Sequence, residues 1–228
     1  MNKPLAIFDL DYTLVDADCE LVWCDTLFRL GVVDEDFIRR IHKFDEDYAA
    51  GHMDYPAFEE CLLSPLANIP ISRIDELMEI FLVDIRPFVR PWMMDHVDEH
   101  MREGHEVLLA TASNNFIAGR MAELLNISNL VCTQVKFVAG RPTGQILGQA
   151  AYREGKVAAV LDWVSKHGGS LEGSWAYSDS NNDIAILESA AHPVAVTPDA
   201  ILRAHAVKRG WHILEGPDGS GHEAETLA

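Results

Sequence analysis

Apolar runs of strand length alternate with helix-like stretches along most of this chain. The runs at residues 5–8, 107–111, 131–138, 174–178, 194–196 and 211–214 are short and continuous, as in strands buried on both faces of a parallel sheet. Helical periodicity, bounded by capping residues and glycines, covers residues 92–103, 116–125, 156–167, 183–190 and 199–209. This alternation predicts an α/β fold: a Rossmann-like, mainly parallel sheet with helices on both faces.

Residues 16–86 interrupt this alternation directly after the first strand. They predict helices, not strands, at residues 21–30, 34–48, 55–63 and 72–83. We therefore expect an all-α cap at residues 16–86, inserted into a catalytic α/β core at residues 1–15 and 87–215. Residues 216–228 are rich in Gly and Glu and have little to bury, so we expect a flexible tail. The strand at 131–138 is expected to end in a turn at 140–144.

Composition narrows the classes of function. The 228 residues carry 18 Lys and Arg against 36 Asp and Glu, a net charge of −18. Nucleic acids and anionic membranes are bound through clustered Lys and Arg, so neither is an expected partner. The four cysteines have no C-x-x-C spacing, and no apolar run reaches the ~18 residues of a membrane span. Asp9 and Asp11 interrupt the N-terminal apolar run, which argues against a signal peptide, and we expect a cytoplasmic protein.

Polar side chains follow several predicted strands or begin helices, where open α/β sheets bind ligands. The clusters are Asp9, Asp11 and Thr13; Ser113 and Asn114; Lys156; and Asp179, Asn182 and Asp183. Asp9 and Asp11 are two residues apart, so in extended geometry their carboxylates face one side and repel unless a cation or proton lies between them. With Asp179 they form an oxygen-rich site that suits Mg²⁺. Lys156 and Ser113 are then available to hold a phosphate in a chain that otherwise repels anions.

Such a set of groups fits phosphoryl transfer. Hydrolysis of a phosphate monoester is so slow that enzymes accelerate it by up to ~10²¹-fold, whereas one general base supplies about 10²–10⁴-fold. The rest of this acceleration can come from a metal, a nucleophile, a proton donor and positively charged groups around the phosphate acting together.

The sequence F-D-L-D-Y-T-L at residues 8–14 resembles the D-x-D-x-T signature of the haloacid dehalogenase superfamily of phosphohydrolases. The later motifs match in order: Ser113 after a strand, Lys156 at a helix start, and residues 179–183 after a strand. The resemblance covers residues 5–196. The inserted cap and residues 153–157 are most similar to the phosphoserine phosphatase-like branch, which includes bacterial histidinol-phosphate phosphatases.

The resemblance implies a role for each matched position in catalysis and phosphate binding. Asp9 attacks phosphorus and forms an aspartyl-phosphate. Asp11 protonates the leaving alcohol and then activates the water that hydrolyses this intermediate. Ser113 and the backbone N–H of Asn114 bind the phosphoryl group, and Lys156 neutralises it.

The resemblance also implies a Mg²⁺ site and its supports. The metal ligands are a carboxylate oxygen of Asp9, the backbone carbonyl of Asp11 and a carboxylate oxygen of Asp179. Thr13 stabilises the loop of the first motif. Asn182 and Asp183 support the metal shell or position the motif's lysine.

Some positions in the motifs stay open. Thr111 or Ser113 can supply the hydroxyl of the second motif, and we prefer Ser113 because Phe116, three residues later, matches the branch's pattern. Ser178 stands where the family often has Gly.

Positions near the expected cap admit two interpretations. Asp18, Glu20 and Trp23 follow the first motif, where the cap should meet the pocket; an acid there either reads a substrate amine, as the resemblance implies, or begins a helix. Arg86 and Arg90 either read a carboxylate or pair with surface acids.

One histidine pair has the spacing of a metal site. His96 and His100 are four apart on a predicted helix, which can present both to zinc. Because H-E-x-x-H is absent, we expect exposed helix histidines instead.

These inferences predict a Mg²⁺-dependent phosphomonoesterase acting on a small soluble phosphate ester. Histidinol phosphate is slightly favoured over phosphoserine, which also needs a carboxylate reader that the sequence does not locate. A phosphotransferase is a further alternative. A non-enzymatic phospho-switch is disfavoured by the helical insertion and the D-x-D spacing. The sequence does not indicate an oligomeric state.

Overall fold

Six strands form one parallel sheet in the computed structural model, which describes residues 3–49 and 52–217. The strand order is β3-β2-β1-β6-β7-β8. The strands are β1 Pro4–Phe8, β2 Glu106–Asn114, β3 Asn129–Thr133, β6 Ser170–Ser178, β7 His192–Val196 and β8 His212–Leu214. The predicted Rossmann-like parallel sheet is confirmed. Most of the predicted tail lies outside the described residues.

Helices cover both faces of this sheet, as predicted. They are α1 Cys19–Arg29, α2 Glu35–Ala49, α3 Tyr55–Leu63, α4 Ile71–Ile85, α5 Pro91–Arg102, α6 Asn115–Leu124, α7 Glu154–His167, α8 Ile184–Ser189 and α9 Ala200–Arg209. In β1, Leu5 and Ile7 join the apolar cluster formed with α7, α8 and α9. Ala6 and Phe8 join the opposite cluster, formed with α5 and α6. Alternate side chains of a strand point to opposite faces, so β1 is apolar throughout because both of its faces are covered.

The helical insertion, α1 to α4, lies between β1 and α5 and shares the apolar cluster of the Phe8 face. The fully buried Trp23 on α1 makes T-shaped contacts with Phe81 of α4 and Phe116 of α6, at centroid distances of 5.8 and 5.5 Å. Aromatic contacts of this kind add to the area buried. Insertion and sheet are therefore held together by one continuous core.

The single strand predicted at 131–138 is wrong, because the chain changes partner at Gln134. β3 stays in the main sheet, whereas β4, Val135–Val138, pairs antiparallel with β5, Arg141–Ile146. The expected five-residue turn is a tight one at Ala139 and Gly140, both with positive φ (48° and 80°). Two such residues match the twist of a hairpin, which lets residues 141–146 continue as a strand.

The β4–β5 hairpin packs on the helical insertion. A Cβ on Gly144 would lie 2.6 Å from the backbone carbonyl oxygen of Glu59 in α3, so only glycine fits this close approach. Arg141 donates hydrogen bonds from its guanidinium to the carbonyl oxygens of Leu66 and Ile69, just beyond α3. The helical insertion, which we predicted as all-α, is therefore accompanied by a β-hairpin.

Candidate active site

The predicted site residues lie at the carboxyl ends of three adjacent strands. The N–H of Asp9, directly after β1, donates to the carbonyl oxygen of Tyr177 in β6 at 3.0 Å. Asp179 follows β6, and Ser113 and Asn114 end β2. Since β1 lies between β2 and β6, these side chains converge at one edge of the sheet.

Lys156, near the start of α7, connects two buried carboxylates. Its Nζ donates to Asp9 Oδ1 at 2.8 Å and to Asp183 Oδ2 at 2.6 Å. Ser178 Oγ donates to the same oxygen of Asp183 at 2.8 Å. Serine in place of the family's frequent glycine thus orients the acid that holds the lysine. The lysine is positioned beside Asp9 as predicted.

The start of α7 allows this placement because residue 155 is glycine. A Cβ on Gly155 would collide with the backbone carbonyl of Ala150. Two residues earlier, Arg153 has a φ of 51° and donates from Nε to Asn182 Oδ1 at 3.0 Å, and Tyr152 Oη donates to the same oxygen at 3.0 Å. Asn182 therefore anchors the turn that leads into the lysine helix.

Thr13 brings Asp179 and Asp9 together. Thr13 Oγ1 donates to Asp179 Oδ1 at 3.0 Å, lies 3.5 Å from Asp9 Oδ2, and accepts the N–H of Asp179 at 3.1 Å. Both acids are buried, so the carboxylates from β1 and β6 face a common point. Thr13 thus stabilises the first loop through contacts with its neighbouring strand end.

Burial and mutual repulsion make these carboxylates costly to ionise. Burial raises the pKa of Asp9 to about 7, Lys156 lowers it, and Asp183 and Asp11 raise it. The pKa of Asp179 lies well above its usual range because of burial and then the charges of Asp9 and Asp183. Burial lowers the pKa of Lys156, but the two acids outweigh burial and raise it. One lysine thus neutralises part of a strongly anionic cluster.

This donor set fits the predicted Mg²⁺. Oxygen atoms of Asp9 and Asp179 lie within 3.5 Å of one hydroxyl group, and a divalent cation between them would relieve the repulsion that raises both pKa values. Hard oxygen donors are the ligands that Mg²⁺ prefers.

Asp11 contacts Ser113, as the prediction of a shared pocket requires. Ser113 Oγ donates to Asp11 Oδ2 at 2.7 Å, and the N–H of Cys19 donates to Asp11 Oδ1 at 2.8 Å. The hydroxyl of Thr111 instead accepts the N–H of Ser113 at 3.1 Å. This geometry favours Ser113 over Thr111 as the hydroxyl that faces a ligand.

Asn114 is placed differently from our expectation. Its N–H, expected to bind the phosphoryl group, donates to Glu20 Oε1 at 3.1 Å, and its Oδ1 caps α6. Its Nδ2 donates to Glu20 Oε1 at 2.8 Å and to Glu59 Oε2 at 3.0 Å. Asn114 thus has buried carboxylate partners in the helical insertion, and its binding of the phosphoryl group stays a prediction.

The three predicted specificity residues have different surroundings in the structure. Trp23 is a core residue, and Glu20 is buried against Asn114, which directly follows Ser113. Asp18 caps α1 by accepting the N–H groups of Glu20 and Leu21 at 2.8 and 2.9 Å. Burial, followed by the charge of Asp11, raises the pKa of Asp18 to about 8. Asp18 therefore lies beside Asp11 of the catalytic loop.

The structure adds residues to the site that the sequence did not single out. Tyr48 and Tyr55 of the insertion contact the ring of Tyr152 at centroid distances of 5.6 and 4.7 Å. Tyr152 in turn contacts Asn182, so this tyrosine cluster bridges the insertion and the site. Their spacing along the chain follows no motif, and only the fold brings them together.

Arg90 is a buried residue that contacts the loop of the first motif. It is buried and donates to the carbonyl of Tyr12, to Thr197 Oγ1 and to Asp16 Oδ1 at 2.5, 3.0 and 2.5 Å. Tyr12 has a φ of 55°, so Arg90 holds a strained turn within the first motif. Its donors have partners, and it is not a free carboxylate reader.

Comparisons with known proteins agree with this geometry. A model of the haloacid dehalogenase-like hydrolase family matches residues 6–188. The chain is 35% identical to a histidinol-phosphatase of Neisseria meningitidis over 93% of its own length and 98% of that protein. A Bordetella pertussis protein of unknown function is 34% identical, with a TM-score of 0.86 over 94% of this chain and 99% of that one. A substrate-bound phosphoserine phosphatase has the same fold (17% identity, TM-score 0.67, covering 97% and 95%).

These matches extend over nearly the whole chain and include every predicted motif. Within residues 3–49 and 52–217, none of the helices has the length and apolarity that a membrane crossing demands. The expectation of an enzyme of the hydrolase class, related to phosphatases, is confirmed. The chain belongs to the haloacid dehalogenase-like hydrolase family.

Proposed function

We propose that this enzyme is a Mg²⁺-dependent phosphomonoesterase that hydrolyses histidinol phosphate through an aspartyl-phosphate on Asp9. The observation that carries the proposal is the buried cluster in which Lys156 joins Asp9 to Asp183 beside Asp179 and Thr13. A carboxylate held by a lysine at the end of a central strand is an oriented nucleophile with a cation ready for phosphate oxygens.

In the first step an oxygen of Asp9 attacks phosphorus and the bond from phosphorus to the alcohol oxygen breaks. Asp11 gives its proton to the departing oxygen. In the second step Asp11 takes a proton from water, the water oxygen attacks phosphorus, and the bond from phosphorus to Asp9 breaks. Ser113 and Lys156 bind the phosphoryl oxygens during both steps.

Mg²⁺ is proposed to bind a carboxylate oxygen of Asp9, the backbone carbonyl of Asp11 and a carboxylate oxygen of Asp179. When bound it offsets the negative charge of the phosphoryl group and of these acids. Asn182 and Asp183 position the lysine helix and Lys156 itself.

The insertion is proposed to act as a cap that closes over the substrate. The cap comprises residues 16–86, with the β4–β5 hairpin packed on it, and the catalytic core comprises residues 1–15 and 87–215. The tyrosine cluster of Tyr48, Tyr55 and Tyr152 spans the junction between them, so substrate entry requires these rings to separate. Closure excludes bulk water from the aspartyl-phosphate.

Histidinol phosphate is favoured by the histidinol-phosphatase relative and by the chemistry around the site. Asp18 is an acid beside the catalytic loop that suits an amine, and tyrosine rings suit a cationic or aromatic imidazole. Phosphoserine is the second candidate because a phosphoserine phosphatase shares the fold. It is disfavoured because the guanidinium of Arg90 already donates to Tyr12, Thr197 and Asp16.

The test is a comparison of kcat/KM with Mg²⁺ for L-histidinol phosphate, L-phosphoserine and glycerol phosphate. We expect the highest value for L-histidinol phosphate, and a lower value than for L-phosphoserine would contradict the assignment. Assay with added acceptor alcohols separates a phosphotransferase, which forms new esters, from a phosphatase, which releases inorganic phosphate alone.

A further inference from the structure

Two histidines meet at the end of α5, far from the catalytic cluster. His100 Nδ1 and His105 Nδ1 lie 2.8 Å apart. Gly104, with a φ of 80°, reverses the chain between them, and the N–H of His105 donates to the carbonyl of His100 at 3.0 Å. His100 is thus buried against His105, and the expectation that it is an exposed helix histidine beside His96 is wrong.

A third potential ligand comes from the same turn. A carboxylate oxygen of Glu103 lies 3.5 Å from His105 Nδ1, and one donor atom of each of His100, Glu103 and His105 lies within 4.8 Å of the others. Two nitrogens 2.8 Å apart can each lie about 2.0 Å from one ion at a near-right angle. A tetrahedral ion needs them about 3.3 Å apart, which a small rotation of either ring provides. All three come from six consecutive residues, so forming the site costs little chain entropy.

Neighbouring side chains hold the two rings in this orientation. His100 Nε2 lies 2.9 Å from Tyr177 Oη, so the proton of the imidazole can reside on Nε2 and leave the Nδ1 lone pair toward His105. Such an outer hydrogen bond fixes the tautomer of a metal-binding histidine. His105 stacks on Trp175 at a centroid distance of 4.6 Å and an angle of 26°.

We propose that His100, Glu103 and His105 form a site for a divalent transition metal such as Zn²⁺. Two imidazoles and a carboxylate are a donor set of borderline softness that selects Zn²⁺, Cu²⁺ or Ni²⁺ over Mg²⁺. His105 and Glu103 are partly solvent-accessible, with 12% and 55% of their side chains exposed, so water can complete the coordination. The negative end of the α5 dipole favours a cation there.

The site is structural rather than catalytic. His105 directly precedes β2, whereas Ser113 lies at the far end of this nine-residue strand. At about 3.3 Å per residue the two ends are more than about 25 Å apart. A metal here joins the end of α5 to the start of β2 and stabilises their junction without contact with substrate.

The test is titration of chelator-treated protein with Zn²⁺ alone, in buffer with excess Mg²⁺, followed by calorimetry and thermal unfolding. We expect one Zn²⁺ site that raises the melting temperature and persists in Asp179→Asn, which disables the acidic cluster. His105→Ala and Glu103→Gln should weaken Zn²⁺ binding at least about tenfold, and Tyr177→Phe by about 10–100-fold, through loss of the outer hydrogen bond.

His96→Ala is the matched control, because His96 lies one turn earlier on α5 with its Nδ1 3.8 Å from Glu99 and outside the triad. It should bind Zn²⁺ as the wild type does. Absence of Zn²⁺ binding by the wild type would overturn the proposal and leave the His100–His105 contact as a hydrogen bond. Equal binding by wild type and His105→Ala would also overturn it. Loss of binding in Asp179→Asn alone would assign the zinc to the acidic cluster. Failure of the phosphatase assignment would leave all these results unchanged.

Discussion

At the residue scale, the buried lysine is the main determinant of the charge balance at the site. Lys156 has 4% of its side chain exposed and contacts two carboxylates whose own exposure is low. Removing one partner of a buried ion pair leaves uncompensated charge, which costs much more than losing a surface pair. Stability and catalysis therefore depend on the same side chain.

Lys156→Met is expected to lower the free energy of unfolding by about 3–5 kcal/mol and kcat/KM by at least about 10²-fold. Chemical denaturation and steady-state assay measure the two. The matched control is Lys166→Met, whose partner Asp162 is as exposed as the lysine (60% and 64%) and which should cost about 0–1 kcal/mol. Similar losses in the two variants would contradict a special role for Lys156.

The buried carboxyl group of Glu59 makes the stability of the folded protein depend on pH. Burial raises its pKa to about 8, although the hydrogen bond from Asn114 lowers it, and its Oε1 has no partner among the described residues. In the unfolded chain the acid ionises near its usual pKa of about 4.3. Between those values the folded state holds a proton that the unfolded state has lost, so the stability contributed by Glu59 falls as pH rises.

The wild type should therefore lose stability from pH 5 to pH 8, and Glu59→Gln should lose less over that range. Denaturant unfolding at several pH values measures both slopes. The neighbouring Glu60 is exposed, and Glu60→Gln should retain the wild-type slope. A Glu59→Gln slope as steep as that of the wild type would contradict a buried neutral carboxyl.

At the element scale, the start of α7 carries the lysine and depends on a close backbone approach. Gly155→Ala places a Cβ against the carbonyl of Ala150 and must displace the first turn. We expect a loss of stability and a fall in kcat/KM of at least about tenfold, since small misplacements at a site are costly.

Gly119→Ala is its control. Gly119 lies in α6 with open space around a built Cβ and without positive φ, so alanine should stabilise the protein by about 0.5–1 kcal/mol and leave activity unchanged. Equal behaviour of the two alanine variants in unfolding and activity assays would show that the approach of α7 to Ala150 is unimportant.

Much of the fold could be predicted at this scale because periodicity and strand-end motifs are local signals. The sequence predicts one site for Asp9, Lys156 and Asp183, since each follows a strand or lies near the start of a helix. The structure joins them through hydrogen bonds of Lys156. The β4–β5 hairpin was missed because residues 131–138 read as one continuous strand, and no local signal shows that the chain leaves the main sheet at Gln134. The sequence does not predict that the N–H of Asn114 donates to Glu20, and the His100–His105 contact depends on a reversal at Gly104 that helical spacing does not encode.

At the scale of the whole molecule, two proposed metal sites lie at opposite ends of β2 and should act independently. The acidic cluster is proposed to bind Mg²⁺ and to support turnover. The histidine site is proposed only to stabilise the junction between α5 and β2. Binding of an ion to the folded state alone raises stability by an amount set by its concentration relative to Kd.

Mg²⁺ at about 100 times its Kd should add about 2.7 kcal/mol to the free energy of unfolding, and chelation should remove this gain together with activity. Thermal unfolding with and without Mg²⁺ measures the effect. Asp179→Asn should lose the stabilisation by Mg²⁺, whereas the surface change Asp162→Asn should keep it. Full phosphatase activity after exhaustive chelation would refute the proposed cofactor.

The central claim is that Asp9 is the nucleophile, and kcat/KM of Asp9→Asn for L-histidinol phosphate with Mg²⁺ tests it most directly. Asparagine matches the shape of aspartate but is a poor nucleophile, so the variant should fold normally by circular dichroism. Its kcat/KM should lie at least about 10³-fold below that of the wild type. A folded Asp9→Asn variant with activity within about tenfold of the wild type would contradict the account.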